Sequence, residues 1–573
     1  MNATFSQWCR PVRTAAAVAV AKPSARFDSA AAVTVSSADE LAAMRPAFVR
    51  SLSTQFDVEL LAGRLGPVLL DDESVAIFSL AEHVGSDQAD ELERRVLGSG
   101  YRLANPARYI LAAPLLLAVA RSQITPQSLA SQPLMRLEQS RTALAEAFQD
   151  LVEWGARHDA SDIHLNVRLN EAESEVKYTI SGRYLAPERF RRIPTSTLLD
   201  MLSVAWMDIR GGNGAVFDPF IEQQGSLIKQ VDGQSTILRW ASLAADDGPS
   251  VCLRILKRDA AAGLPGLEQL GYLSDQIALI DRIMLSEGGV VVFAGTVGSG
   301  KSTSLASLIS RLPAHRKVIT LEEPVEYLIP ASIQNSVARH LRTAAHDSYA
   351  SKLRALKRSA MTDVLLGEIR DEETGRAFMD LAGSGVNVYT TVHAPSAAHI
   401  PLRLASDFIG VSPDFLDTPG ILKLMVFQAL LPVLCQQCAL PAEGLRKQGG
   451  QSGKHRHHER HGGAWLDLVQ QLYGCSAESW RVRNPEGCPA CRKDRLPELN
   501  GYAGRTVVAE IIEPPGGLHQ GRPAMDCAVH KAGAGLIDLR DIEVRFHAFE
   551  TEQSRRALNA EASAPPTRLR MVT

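Results

Sequence analysis

Gly295, Thr296, Val297, Gly298, Ser299, Gly300, Lys301, Ser302 and Thr303 follow directly on the apolar run Val-Val-Val-Phe-Ala at 290–294. The first eight of these residues fit the pattern G-x-x-x-x-G-K-[ST] without a mismatch. The run before them reads as a short buried strand, and 304–309 continues with apolar residues at helical spacing. The glycines let the backbone curl so that successive N–H groups point at an anion, and the helix N-terminus behind them adds a favourable dipole. Lys301 is expected to reach the β- and γ-phosphates, and the Ser302 hydroxyl to ligate Mg²⁺. The stretch predicts an α/β unit that binds a nucleoside triphosphate.

Binding alone does not give a reaction. Hydrolysis needs one carboxylate to hold Mg²⁺ and another to orient or deprotonate the attacking water. Residues 318–321 read as a strand that delivers Glu322, Glu323 and Glu326, and 364–366 as another that delivers Glu368, Arg370 and Asp371. A third, 387–392, ends at His393. Ligands of open α/β sheets bind beyond the carboxyl ends of strands, so all three segments can converge on the glycine-rich loop. Taken singly, each is also compatible with solvated or structural polarity.

The 573 residues are too many for one core and suggest three or four domains. With 45% hydrophobic and 22% charged residues and a net charge of −3, nothing global points to nucleic acid or an anionic membrane. The most apolar stretch, 109–120, includes Pro114 and is too short to span a bilayer, so it reads as a buried helix. Residues 1–35 read as a loose leader and 36–135 as an N-terminal docking domain in which helical patterns dominate, with strand-like pieces at 67–70 and 75–78. A long helix over 133–157 opens an α+β domain at 136–262, with strands at 162–165, 175–180, 235–240 and 250–256 and a hairpin turn at Ser181, Gly182 and Arg183. A linker at 260–266 leads into the nucleotide-binding core, 263–434, where strands and helices alternate.

Two C-x-x-C pairs, Cys435 with Cys438 and Cys488 with Cys491, can each place two thiolates on one ion. A cytosolic setting disfavours disulfides and a redox dithiol needs one pair, so structural Zn²⁺ is the preferred reading of 435–500. Residues 442–463 are polar and carry His455, His457, His458 and His461, which read as a disordered loop with metal binding as the alternative. The end of the core and a divergent tail occupy 501–573.

Several of these segments together resemble the ATPases of type II secretion and type IV pilus assembly, from about residue 150 to 512. The segment 320–327 resembles the family's acidic box, with Glu322 at its glutamate. Residues 367–371 resemble its Walker B region, which implies Glu368 as catalytic base, and 390–393 resemble its His box. Arg239 and Arg254 fall where the family carries arginines that reach the nucleotide from the preceding domain. The resemblance implies a RecA-like motor preceded by a PAS-like α+β domain and carrying a small zinc-binding insertion. It further implies ATP, Mg²⁺ and Zn²⁺ as ligands. The expected assembly is a cytoplasmic homo-hexamer, peripheral at the inner membrane through the platform and docking proteins of a secretion or pilus machine. A conjugative or DNA-uptake pilus motor, or a nucleic-acid-dependent P-loop ATPase, is the alternative; the balanced charge argues against nucleic acid. Departures are Glu323 where the family has Asp, Thr362 where it has an aspartate (Asp363 is one place off), and a tail beyond 513 with little likeness.

Overall fold

The computed structural model describes residues 32–563, apart from 36–37, 57, 59–63, 121–123, 125–132, 258–262, 338–344, 449–460, 494–495 and 515–520. The chain divides into two compact units, Met1–Leu144 and Ala145–Thr573.

The first unit is built on a five-stranded sheet in the order Val33–Val35, Arg102–Leu111, Ser74–Ser79, Leu65–Leu70, Phe48–Ser51. The expectation that helical patterns dominate is corrected here, while the strand-like pieces at 67–70 and 75–78 lie inside two of these strands. Leu65–Leu70 and Ser74–Ser79 are almost wholly buried runs of apolar and small residues, and central strands covered on both faces lose the alternation that marks a strand in sequence. The 109–120 stretch likewise splits, with 109–111 ending the strand Arg102–Leu111 and only Ala113–Ala120 helical. The helix Asp87–Gly98 starts where the Ser86 side chain accepts from Ala89 N–H. Its Asp90 and Glu93 hold the buried guanidinium of Arg108, at 2.5 and 2.6 Å.

The second unit contains two seven-stranded sheets and a small antiparallel pair, Leu440–Pro441 with Arg481–Val482. The first is antiparallel, ordered Gln223–Val231, Gln234–Ala245, Gly248–Lys257, Ala160–Asn166, Glu173–Ile180, Arg183–Leu185, with Ile193–Pro194 paired beside Glu173–Ile180. Ser181 and Gly182, both at positive φ, make the hairpin turn the sequence indicates. Tyr178 is fully buried and donates its hydroxyl to the Leu151 carbonyl, which ties the helix Pro133–Arg157 to this sheet. The linker expected at 260–266 lies outside the described residues up to 262; Leu267 beyond it is buried and begins a helix.

The other sheet runs Ser332–Ser336, Val318–Glu322, Asp363–Glu368, Asn387–Val392, Val290–Ala294, Leu422–Leu434, Tyr502–Ile512; every pairing is parallel except the last. Along the strand before the glycine-rich loop, Val290, Val292 and Ala294 face one core and Val291 and Phe293 the other. That is the period-two alternation of a strand covered by helices on both sides. Phe293 is wholly buried, and truncating it to Ala would cost about 3–5 kcal/mol. The carboxyl ends of the parallel strands thereby present residues 295, 322, 368 and 393 along one edge.

The polar segment 442–463 is ordered at both ends. Ala442 and Leu445 are buried, with 445 in the helix Gly444–Gln448, and Gly463–Tyr473 is a second helix that buries Trp465. His461 bonds Glu543 at 2.8 Å, whereas His455, His457 and His458 lie outside the described residues.

Candidate functional site

The glycine-rich loop turns between Val290–Ala294 and the helix Lys301–Ser310. Gly295 has φ 146°, and a Cβ there would stand 2.4 Å from the Gln428 carbonyl oxygen, so no larger residue fits. Gln428 also donates to the Ser299 carbonyl at 2.7 Å and accepts from Tyr272 at 2.5 Å, bracing the loop from the neighbouring strand. Lys301 is buried, and its Nζ donates to the carbonyls of Gly295 and Thr296 at 2.9 and 3.0 Å. Burial holds that ammonium down to about 8, against the pull of Glu368 and Glu326.

A cleft of about 670 Å³ opens over the loop. Its lining brings together residues 297–303 with Glu322, Glu323, Glu326, Glu368 and His393. Glu322 closes its strand and accepts from Gln334 Nε2 at 3.1 Å; burial raises its carboxyl above the usual range. Glu368 closes Asp363–Glu368, and its Oε1 lies 3.2 Å from His393 Nε2. The other ring nitrogen of His393 sits 2.9 Å from the Gly295 carbonyl oxygen. Glu323, the departure in the acidic segment, pairs with Arg370 at 2.8 Å.

The preceding sheet supplies one wall of the cleft. Arg254 lines it with Ser161, Asp162 and Gly182, and its Nε lies 3.0 Å from Asp162 Oδ1. Arg239 pairs in register with Arg254 on the adjacent strand and donates to the Glu323 carbonyl at 3.2 Å. Burial lowers the Arg239 pKa first, and the adjoining Arg254 lowers it further. Asp363 is not part of this site. It is fully buried at the opposite end of its strand, held by Arg316 at 2.5 and 2.8 Å and by the Tyr389 hydroxyl at 2.9 Å.

Lys301 is joined at this cleft by other cations of the same unit. Arg370 and Arg505 line the cleft, and Arg545 donates to Thr296 Oγ1 at 2.7 Å. Tyr327 also lines it and accepts from Thr303 Oγ1 at 2.8 Å. Arg505 stands on the strand Tyr502–Ile512, and Arg545 lies in the tail, where no motif signals it.

Cys435, Cys438, Cys488 and Cys491 meet in a separate corner, all four sulfurs within 4.8 Å of one another. The separations of 3.7, 3.6 and 3.8 Å are far beyond a disulfide bond. They match the edge of about 3.8 Å of a tetrahedron with metal–sulfur bonds of about 2.3 Å. N–H groups of Cys488 and Gly501 point at Cys491 Sγ from 3.2 and 3.3 Å, a setting that favours thiolate. The donor set fits zinc.

A family model described as type II/IV secretion system protein matches residues 138–521. Type II secretion system protein HxcR of Pseudomonas aeruginosa is 28% identical over 404 residues, covering 70% of this chain and 73% of that protein. Type IV pilus assembly ATPase PilB of Thermus thermophilus is 29% identical over 381 residues, covering 66% of this chain but only 38% of that protein. Among solved structures, the Legionella pneumophila ATPase DotB is similar at a TM-score of 0.45 and 18% identity, covering 70% of this chain and 95% of that one.

Proposed function

Because this chain belongs to the family of type II/IV secretion system proteins, we propose that it is an ATPase that drives assembly of a type II secretion pseudopilus or type IV pilus. The observation that carries the reading is the convergence of Lys301, Glu322, Glu368 and His393 on one cleft at the carboxyl edge of a parallel sheet. The loop N–H groups and Lys301 bind and orient the triphosphate. Ser302 and Glu322 would hold Mg²⁺, which neutralises charge between the β- and γ-phosphates. Glu368 takes the proton of the attacking water, and His393 fixes that carboxylate relative to the loop. Arg254 and Arg239 approach from the preceding domain to offset charge developing on the γ-phosphate.

The four cysteines would hold one structural zinc, with no open position for chemistry. The chain works as a homo-hexamer in the cytoplasm, peripheral at the inner membrane through docking and platform proteins. Among the described residues no helix is long and apolar enough to cross a membrane.

ATP turnover measured with and without single-stranded DNA tests this reading. Turnover independent of DNA is expected. Strong stimulation by DNA would favour a nucleic-acid motor, and no turnover with intact nucleotide binding would leave a scaffold.

A further inference from the structure

The helix Leu539–Arg545 lies in the tail, and its last residue crosses to the glycine-rich loop. Arg545 Nη2 donates to the Thr296 hydroxyl at 2.7 Å. The carbonyl of that same Thr296 accepts from Lys301 Nζ at 3.0 Å. Two cations therefore stand on one loop residue. Burial lowers the Lys301 ammonium most, and the Arg545 charge pushes it in the same direction.

Arg370 pairs with Glu323 at 2.8 Å, Arg254 with Asp162 at 3.0 Å and Arg540 with Asp538 at 2.6 Å. Arg239 and Arg505 have no carboxylate in ion-pair range among the described residues, but neither is hydrogen-bonded to the glycine-rich loop. Arg545 also has no carboxylate in ion-pair range among the described residues, and burial is the sole cause lowering its pKa. A half-buried guanidinium held beside another cation without a counter-ion is an unfavourable arrangement that an anion relieves. Lys301 is drawn to the β- and γ-phosphates, so the anion nearest both cations is the terminal phosphate.

Resting on the reading that the loop binds ATP, we infer that Arg545 is a ligand of the γ-phosphate supplied by the same chain. Its guanidinium exchanges the Thr296 hydroxyl for a γ-phosphate oxygen, while Lys301 leaves the loop carbonyls for the same group. ADP offers no such oxygen, so the contact discriminates ATP from ADP. It also carries the state of the nucleotide into a helix whose N-cap residue, Asp538, accepts from Arg483 N–H at 2.8 Å, close in sequence to the second cysteine pair.

Equilibrium binding of ATP and of ADP, each with Mg²⁺, to the full chain and to Arg545→Ala and Arg545→Lys tests this. Arg545→Ala is expected to lose roughly ten- to a hundredfold in ATP affinity, the range of one charge-assisted hydrogen bond. Its ADP affinity should change by less than about threefold. Arg545→Lys, which keeps a cation, should recover part of the ATP loss and serves as the test if the alanine variant folds poorly. Equal losses for ATP and ADP, or no loss in either variant, would overturn the inference. Wild-type protein that binds neither nucleotide would instead overturn the nucleotide reading itself.

Discussion

His393 Nε2 stands 3.2 Å from Glu368 Oε1 while its Nδ1 stands 2.9 Å from the Gly295 carbonyl oxygen. With Nδ1–H donating to that carbonyl, Nε2 is left facing the carboxylate, and a hydrogen bond there requires a proton on one of the two atoms. One imidazole thus links the strand end bearing the proposed base to the loop that holds the phosphates. Glu368→Gln is expected to keep nucleotide binding and lose about two or more orders of magnitude in single-turnover hydrolysis. Loss of binding in that variant would make Glu368 a structural residue.

Lys301 already occupies hydrogen-bonding positions on two loop carbonyls. Phosphate oxygens must outcompete those neutral acceptors, which a multiply charged anion does readily. Lys301→Ala should therefore abolish tight ATP binding or turnover, read by isothermal titration and phosphate release. Undiminished turnover would remove the central claim.

Much of this site was legible because its chemistry is local. The glycine-rich loop needs positive φ at 298 and 300 and close backbone approach at 295, and only glycine meets both demands, so the motif survives in plain sequence. Strand-end residues 322, 368 and 393 were placed by counting from apolar runs. Long-range pairing was not legible. The 249-residue separation of Arg545 and Thr296 leaves no periodic trace, and Asp363, one position from the expected aspartate, gave no sign of being a buried counter-ion to Arg316. In the N-terminal sheet the apolar pieces 67–70 and 75–78 were legible as strand-like and fall inside its strands Leu65–Leu70 and Ser74–Ser79, whereas Val33–Val35, Phe48–Ser51 and Arg102–Leu111 carried no pattern that marked them as strands.

Asp363 provides a check on that distinction. It is fully buried and satisfied by Arg316 and Tyr389, so removing its charge leaves the Arg316 guanidinium, itself 10% exposed, without its counter-ion. Asp363→Asn should destabilise the fold by about 3–5 kcal/mol. Denaturant unfolding would register that loss, while ATP affinity of the folded fraction stays within about threefold of wild type. A stable variant with defective hydrolysis would return Asp363 to the catalytic account.

The cysteine corner makes a stoichiometric claim. Four thiolates at tetrahedral spacing should hold one zinc per chain, and Cys488→Ser should lose it. The Cys435 N–H donates to the Gly501 carbonyl at 2.8 Å, so the knuckle pins the end of a core strand to the return of the chain. Chelation should therefore lower the melting temperature as well as the metal content. Metal analysis well under one equivalent, or a Cys488→Ser protein that keeps its zinc, would refute the site.

The last prediction concerns assembly. Arg254 is held by Asp162 of its own sheet, and Arg239 reaches only the Glu323 carbonyl rather than a carboxylate. Both stand on a sheet that joins the nucleotide-binding core through one covalent crossing, so their approach to the γ-phosphate can follow the state of the nucleotide. Such an arrangement suits a ring in which ATP closes the two sheets on each other and hydrolysis releases them, passing rigid-body motion to the next subunit. An oligomer, and by family a hexamer, is expected, with activity per chain that rises with protein concentration. Arg239→Ala and Arg254→Ala should then lower turnover more than ATP affinity, because an arginine offsetting developing charge acts mainly in the transition state. Sedimentation showing a fully active monomer with concentration-independent specific activity would refute the ring and leave a simple P-loop hydrolase.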